Sequence, residues 1–243
     1  MHIYKEIIDL AIGILYPKRC VACDKVLLKI EKDVGFCKEC QPKIRLVGDG
    51  VCMKCGAPIE DTRVEFCNTC KTFEHYYDQN KGIYVYTGEM KNAMYRFKYS
   101  NRRCYGKVFA RHAARMYGGW LKKNGIEAIV PVPMYKEKEK MRGYNQAKVF
   151  GKALSDATGI PLAGEIIRRD SDTTVMKQLN SLKRKKNLLN AFSLQKNIVQ
   201  FRKVLIVDDI YTTGTTMDEV TKVLKEGGIQ RVYGISICIG KVQ

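Results

Sequence analysis

Apolar positions along this chain recur at two periods, and the switches between them lay out its elements. From residue 81 onward, short apolar runs alternate with stretches of helical spacing. The run 82-GIYVY-86 predicts a strand, and 89-EMKNAMYRFKY-99 a basic helix that buries Met90, Ala93, Met94 and Phe97 on one face. A second helix is expected over about 104–123. The run 127-EAIVPVPM-134 reads as a strand entering a proline-rich turn, followed by a helix at about 144–157. A short strand near 163–168 and a polar, basic stretch to residue 190 come next. Then follow the strand 203-KVLIV-207, a helix at about 215–226 and the strand 231-RVYGISICI-239. Alternation of this kind predicts an α/β domain, a mostly parallel sheet with helices on its faces. Ligands of such sheets sit outside the carboxyl ends of the strands. At the other end of the chain, Ile3, Ile7, Leu10, Ala11 and Ile14 stand at helical spacing until Pro17. That amphipathic helix is expected to dock on its own protein, and its apolar face also admits weak contact with a membrane surface.

Residues 18–78 show neither period. They hold eight of the ten cysteines as four Cys-x-x-Cys pairs: Cys20 and Cys23, Cys37 and Cys40, Cys52 and Cys55, Cys67 and Cys70. Each such turn aims two thiolates at one point, and two turns complete a tetrahedral four-cysteine zinc shell. Two structural zinc ions are expected, with neighbouring pairs sharing an ion. A crossed pairing of the first pair with the third is the alternative. Disulfides would need an oxidising compartment, and iron–sulfur ligation usually shows tighter spacing. Both shells would be full, so no zinc is left open to substrate, and site chemistry is not expected near this module. His75, just beyond the last pair, reads as a surface residue. The division is thus 1–17 as a helix, 18–78 as the zinc module and 79–243 as the α/β domain.

Charge separates the same regions. Residues 1–80 carry 12 basic and 12 acidic residues, whereas residues 81–243 carry 31 and 13, the whole formal excess of +18. A surface so basic favours polyanions, although a solvated basic face would look the same. In 95-YRFKYSNRRCYGK-107 aromatic rings interleave with cations: Tyr95, Arg96, Lys98, Tyr99, Arg102 and Arg103. Stacking rings beside phosphate-seeking cations suit single-stranded nucleic acid. No run of about 18 uncharged apolar residues is present, and Lys5, Glu6 and Asp9 interrupt the N-terminal segment. The expected location is the cytoplasm, with contact at the inner face of the membrane through the first helix.

The sharpest signal is 204-VLIVDDIYTTGTT-216. An apolar strand runs into Asp208 and Asp209, then into Thr212, Thr213, Gly214, Thr215 and Thr216 at the start of a helix. The hydroxyls, the glycine and the free amides of the helix form a phosphate cradle. The carboxylates repel phosphate but accept hydrogen bonds from vicinal hydroxyls, as on a ribose. Together they describe a ribose 5-phosphate site.

This stretch resembles the phosphoribosyl pyrophosphate (PRPP) motif of type I phosphoribosyltransferases. The whole chain resembles the ComF family: a double zinc ribbon, Pro-Val-Pro at 131–133, Arg-Gly-Tyr-Asn-Gln at 142–146, a basic Lys-Arg-x-x-Asn segment, then the motif at 208–216. The resemblance implies that the sheet is of the type I phosphoribosyltransferase kind and that Mg²⁺ accompanies PRPP. It implies that Asp208 and Asp209 bind the ribose hydroxyls and that Thr212 to Thr216 hold the 5′-phosphate. Backbone near Pro133 and Met134, with Arg142, would meet the pyrophosphate. Lys177, Lys183, Arg184, Lys185 and Lys186 would lie in a mobile hood over 171–187. Enzymes of this class that act on 6-oxopurines carry an aspartate where Thr212 stands, so such an acceptor is not expected here. The family is associated with natural competence, the handling of incoming single-stranded DNA. Partners implied are PRPP, single-stranded DNA and other DNA-uptake proteins such as a helicase. A working phosphoribosyltransferase on a small acceptor is the alternative.

Overall fold

Four parallel strands make the centre of the computed structural model, which describes residues 17–28, 33–171, 191–195 and 200–240. They are β1 (Gln79–Val85), β2 (Ala128–Pro131), β5 (Lys203–Tyr211) and β6 (Arg231–Ile239), in the order β1-β6-β5-β2. Val204 to Val207 are fully buried, which is why that strand reads as an unbroken apolar run. The two-residue period still sorts them. Leu205 and Val207 join one core cluster with Phe97, Phe109 and Phe150, and Val204 and Ile206 join the other with Val220 and Leu224.

The helices α2 (Gly88–Tyr99), α3 (Tyr105–Asn124) and α5 (Gln146–Thr158) supply the first cluster, and α6 (Thr215–Glu226) the second. Met90, Ala93, Met94 and Phe97 of α2 are all buried, as their spacing predicts. Two elements were not legible in the periodicity. One is the short helix α4 (Lys136–Arg142), charged at nearly every position, inside the expected pyrophosphate loop. The other is β4 (Phe192–Leu194), which pairs antiparallel with β3 (Ile167–Arg169). This pair brackets the expected hood. Lys177, Lys183, Arg184, Lys185 and Lys186 lie outside the described residues, as does the N-terminal helix. No helix among the described residues is long and apolar enough to cross a membrane.

The cysteine-rich segment does not stand apart from the sheet. Between its second and third pairs the chain runs along the outer edge of β1: Val47 donates to Ile83 at 3.0 Å, and Val85 donates to Arg45 at 2.8 Å. The edge strand is thereby covered, and one ribbon falls on each face. Cys20, Val21, Ala22 and Phe36 pack with Met94, Phe97 and Phe109, whereas Cys52, Ala57 and Tyr77 pack with Val85, Tyr211 and Ile239. The short helix α1 (Asn68–Thr72) carries the last cysteine.

Candidate functional sites

The eight cysteines gather in two groups by neighbouring pairs. Cys20, Cys23, Cys37 and Cys40 form one, Cys52, Cys55, Cys67 and Cys70 the other, and within each group the sulfurs lie within 4.8 Å of one another. Four sulfurs about 2.3 Å from a central ion stand about 3.8 Å apart. Cys23 and Cys37 are separated by 3.7 Å, Cys55 and Cys67 by 3.8 Å. The spacing fits two tetrahedral zinc ions in sequential pairing, not crossed. The Cys37 amide also points at Cys20 Sγ, at 3.4 Å, as expected around a thiolate. Both shells are full, so these ions are structural.

The second site forms where β5 ends and α6 begins. Asp208 and Asp209 lie on the last turns of the strand pairing, since β5 stays in register with β6 through Tyr211 and Ile239. Gly214 follows at φ 81°, and no side chain caps α6. A residue with a Cβ would be strained there, and its Cβ would also lie 2.5 Å from the Tyr211 hydroxyl and 2.8 Å from the His75 ring. The free amides of α6 therefore open into a recess of about 30 Å³ bounded by Asp208, Thr212, Thr213, Gly214, Thr215 and Thr216. That volume suits one small group. The Thr213 and Thr215 hydroxyls are hydrogen-bonded to each other at 2.8 Å, so one donates to the other and one proton is left to face the recess.

Lys98 meets the carboxylates from α2, with its ammonium 2.8 Å from Asp209. Burial would lower the Lys98 pKa, but the charges of Asp209 and Asp208 outweigh it and hold the ammonium above its usual range. Asp208 is the reverse case. Burial, and next the charge of Asp209, push its carboxyl up to about 7, against the pull of the Asp209 amide, Lys98 and Arg169. Between about pH 4 and pH 7 the folded chain keeps a proton there that the unfolded chain has released. The stabilisation is complete below the unfolded pKa and is lost as pH rises through about 7. Ligands that need the carboxylate respond oppositely. Affinity for Mg²⁺–PRPP is expected to rise from about pH 6 to about pH 8, and Asp208→Asn to flatten that profile. Calorimetry across the range checks it, and a flat wild-type profile would count against the role of Asp208.

With the geometry in view, comparison with known proteins decides the family. Residues 11–71 match the Double zinc ribbon domain and residues 145–240 the Phosphoribosyl transferase domain. The chain is 32% identical to competence protein F of Haemophilus influenzae over 225 residues, 90% of this chain and 96% of that protein. The chain belongs to the ComF family. It is also 26% identical to competence protein ComFC of Bacillus subtilis, over 89% of this chain and 92% of the relative. To the DNA utilization protein YhgH of Escherichia coli it is 28% identical, over 84% and 90%. The phosphoribosyltransferase match begins at Asn145, the N-cap of α5, and leaves α2 and α3 outside, yet Lys98 of this ComF-family chain reaches the acidic pair from α2.

The other residues singled out in the sequence fall in three places. Pro133 and Met134 line a separate cavity of about 370 Å³ with Lys136, Asn145 and Arg169. It adjoins the carboxylates because Val132 donates to Val207 at 3.0 Å. Arg142 lies close enough to Lys98 for its charge to act on that ammonium. Its guanidinium stacks 5.0 Å over Tyr99 and donates to the Tyr99 hydroxyl and to Gln146 Oε1, at 3.1 and 3.2 Å.

The cations expected to meet DNA divide. Arg96 donates to the Ala22 carbonyl, and Arg102 pairs with Asp24, which also accepts from the Tyr105 hydroxyl at 2.7 Å. These arginines fasten the first ribbon to the domain. With Lys98 on Asp209, three of the four named cations face inward, because the ribbon and the acidic pair supply partners that local sequence does not display. Arg103 is exposed, donates to the Gly143 carbonyl at 2.7 Å and lies 4.8 Å over the Tyr144 ring. Tyr95 and Tyr99 stay 64% and 55% exposed, with ring centres 5.1 Å apart. His75, expected at the surface, is buried at 6% exposure and pairs with Asp218. Sequence marked the cysteines, the phosphate loop with Tyr211 inside its motif, and Lys98 as a cation for DNA; it gave no sign that Lys98 meets Asp209, that His75 meets Asp218 or that Tyr77 meets Tyr211.

Proposed function

We propose that this chain is a competence-associated cytoplasmic protein that binds PRPP with Mg²⁺ at the β5–α6 turn and single-stranded DNA on the adjoining face of α2. The observation that carries this is the joining of two carboxylates to an uncapped helix N-terminus at the end of one buried strand. The names of the relatives, competence protein and DNA utilization protein, support the cellular role.

The residues divide the ligand. The amides of α6 and the Thr213 and Thr215 hydroxyls hold the 5′-phosphate, and Asp208 and Asp209 accept from the ribose hydroxyls. A hard divalent cation fits the acidic pair, whose donors are carboxylate oxygens and whose negative charge already draws in Lys98. Mg²⁺ bound there would neutralise charge between the pair and the pyrophosphate. Arg142, beside Lys98, lies close enough to add its charge to that end of the ligand.

For DNA, Tyr95 and Tyr99 offer exposed rings to unstacked bases, the Tyr99 ring already carrying the Arg142 guanidinium on one face, and Arg103 an exposed cation. The measurement is titration of one preparation with PRPP–Mg²⁺ and with oligo-dT at several salt concentrations. Tyr99→Ala is expected to weaken oligo-dT binding with little change in salt slope, because stacking releases few ions. Arg103→Ala is expected to flatten the slope by about 0.7, one phosphate contact. Arg102→Ala is expected to lower thermal stability instead, since its partner is Asp24. A wild-type protein that binds no oligo-dT at low salt would end the DNA reading.

A second reading is favoured by the cavity lined by Pro133, Met134 and Arg169, beside the base of the β3–β4 pair. An acceptor held there could take the ribose as its bond to pyrophosphate breaks. Pyrophosphate release on adding PRPP with candidate acceptors tests this.

A further inference from the structure

Three residues that follow the last zinc cysteines reach the phosphate loop. The His75 Nδ1 lies 2.8 Å from Asp218 Oδ2, and the Tyr76 amide donates to Asp218 Oδ1 at 2.8 Å. A carboxylate can only accept, so the imidazole proton sits on Nδ1. Asp218 belongs to the first turn of α6, and its amide donates back to the Gly214 carbonyl at 2.8 Å. From the other side, the Tyr77 hydroxyl meets the Tyr211 hydroxyl at 2.6 Å, and both rings are buried. The His75 ring stacks on Tyr77, 4.9 Å between centres. Gly214 passes so close to the Tyr211 hydroxyl and the His75 ring that not even a methyl group fits between them. The loop is thus held at both ends, Tyr211 and Asp218, by consecutive residues of another module. The second zinc shell fixes where those residues start, because Cys70 lies only five positions before His75.

We propose that His75, Tyr76 and Tyr77 are positioning residues that clamp the loop Thr212–Thr216, so that zinc in the Cys52, Cys55, Cys67, Cys70 shell sets the affinity of the loop for a phosphate group. The affinity part rests on the reading of that loop as the 5′-phosphate site; the clamp itself does not. None of His75, Tyr76 and Tyr77 lines the recess itself. The clamp acts by keeping the amides of α6 converged before the anion arrives, so that no ordering is left to be done on binding.

The test uses the full zinc-loaded chain and reads two quantities. Amide hydrogen exchange over 212–218 reports the clamp without any ligand, with α5 on the opposite face of the sheet as the internal reference. Calorimetry with ribose 5-phosphate reports affinity. Tyr77→Phe and His75→Leu are expected to speed exchange of the loop but not of α5. They should weaken ribose 5-phosphate about tenfold, the scale of one hydrogen bond. His75→Asn, whose amide nitrogen can take the place of Nδ1, should restore both. Cys67→Ser, with bound zinc falling from two ions to one, should speed loop exchange and weaken ribose 5-phosphate at least as much as His75→Leu. Wild-type loop exchange in Tyr77→Phe and His75→Leu, or equal acceleration in α5, would overturn the clamp. A wild-type protein that binds neither ribose 5-phosphate nor PRPP would overturn the phosphate reading, while the exchange comparison would still decide the clamp.

Discussion

Replacing Asp208 and Asp209 together by asparagine is expected to weaken PRPP binding by about 2–4 kcal/mol, the scale of two charge-assisted hydrogen bonds. The loss has a signature beyond its size. Ribose 5-phosphate should suffer as PRPP does, because both present the vicinal hydroxyls. Inorganic pyrophosphate should suffer less. In the native site the Lys98 ammonium is drawn to Asp209, and removing that carboxylate frees a buried cation for the anion. Competition titrations with the three ligands on a folded double variant measure this. An unchanged affinity for PRPP would refute the assignment of the acidic pair. Equal losses for all three ligands would remove the hydroxyls from the account and leave a general effect on the loop.

Stripping both zinc ions is expected to destabilise the whole chain as one cooperative body. Structural zinc in small modules is worth about 10–16 kcal/mol, against a total stability of about 5–15 kcal/mol for a typical domain. Were the ribbons independent, the α/β domain would survive their loss. The packing says otherwise. Cys20, Val21 and Ala22 share a cluster with Phe97 and Phe109, and Cys52, Cys55 and Tyr77 share one with Val85 and Ile239. The segment between the ribbons also covers the edge of β1. Arg96 and Arg102 would lose their partners at Ala22 and Asp24, which leaves cationic groups to be resolvated at a half-buried surface. Chelation followed by thermal melting should show one cooperative transition shifted far down, reversed by added zinc. A chelated protein whose sheet still melts at the native temperature would show the ribbons to be separable, and metal analysis finding no zinc in the native protein would remove the basis of the expectation.

These expectations draw on two kinds of information. Local sequence determined whatever depends on near neighbours along the chain. Residues 204–207 form a continuous apolar run because both faces of β5 are covered there, and α2 shows its buried stripe because helical spacing brings those residues to one side. The zinc shells are legible since two-residue gaps fix each thiolate pair before any folding. The acidic pair and the threonine-rich turn were marked for the same reason: strand end, loop and helix start are contiguous. Tertiary structure alone decided the partners of isolated residues. Whether Arg96, Lys98 and Arg102 meet solvent or protein depends on what lies opposite α2 and the loop after it. That turned out to be the first ribbon and the acidic pair, Ala22, Asp24 and Asp209, from 74 to 111 positions away. His75 looked like a surface residue because its partner, Asp218, is 143 positions distant. Periodicity carries the orientation of a side chain within its own element and nothing about the charge it will face across a sheet, so the chemistry of the site was half visible, and the residues that hold it in place were not.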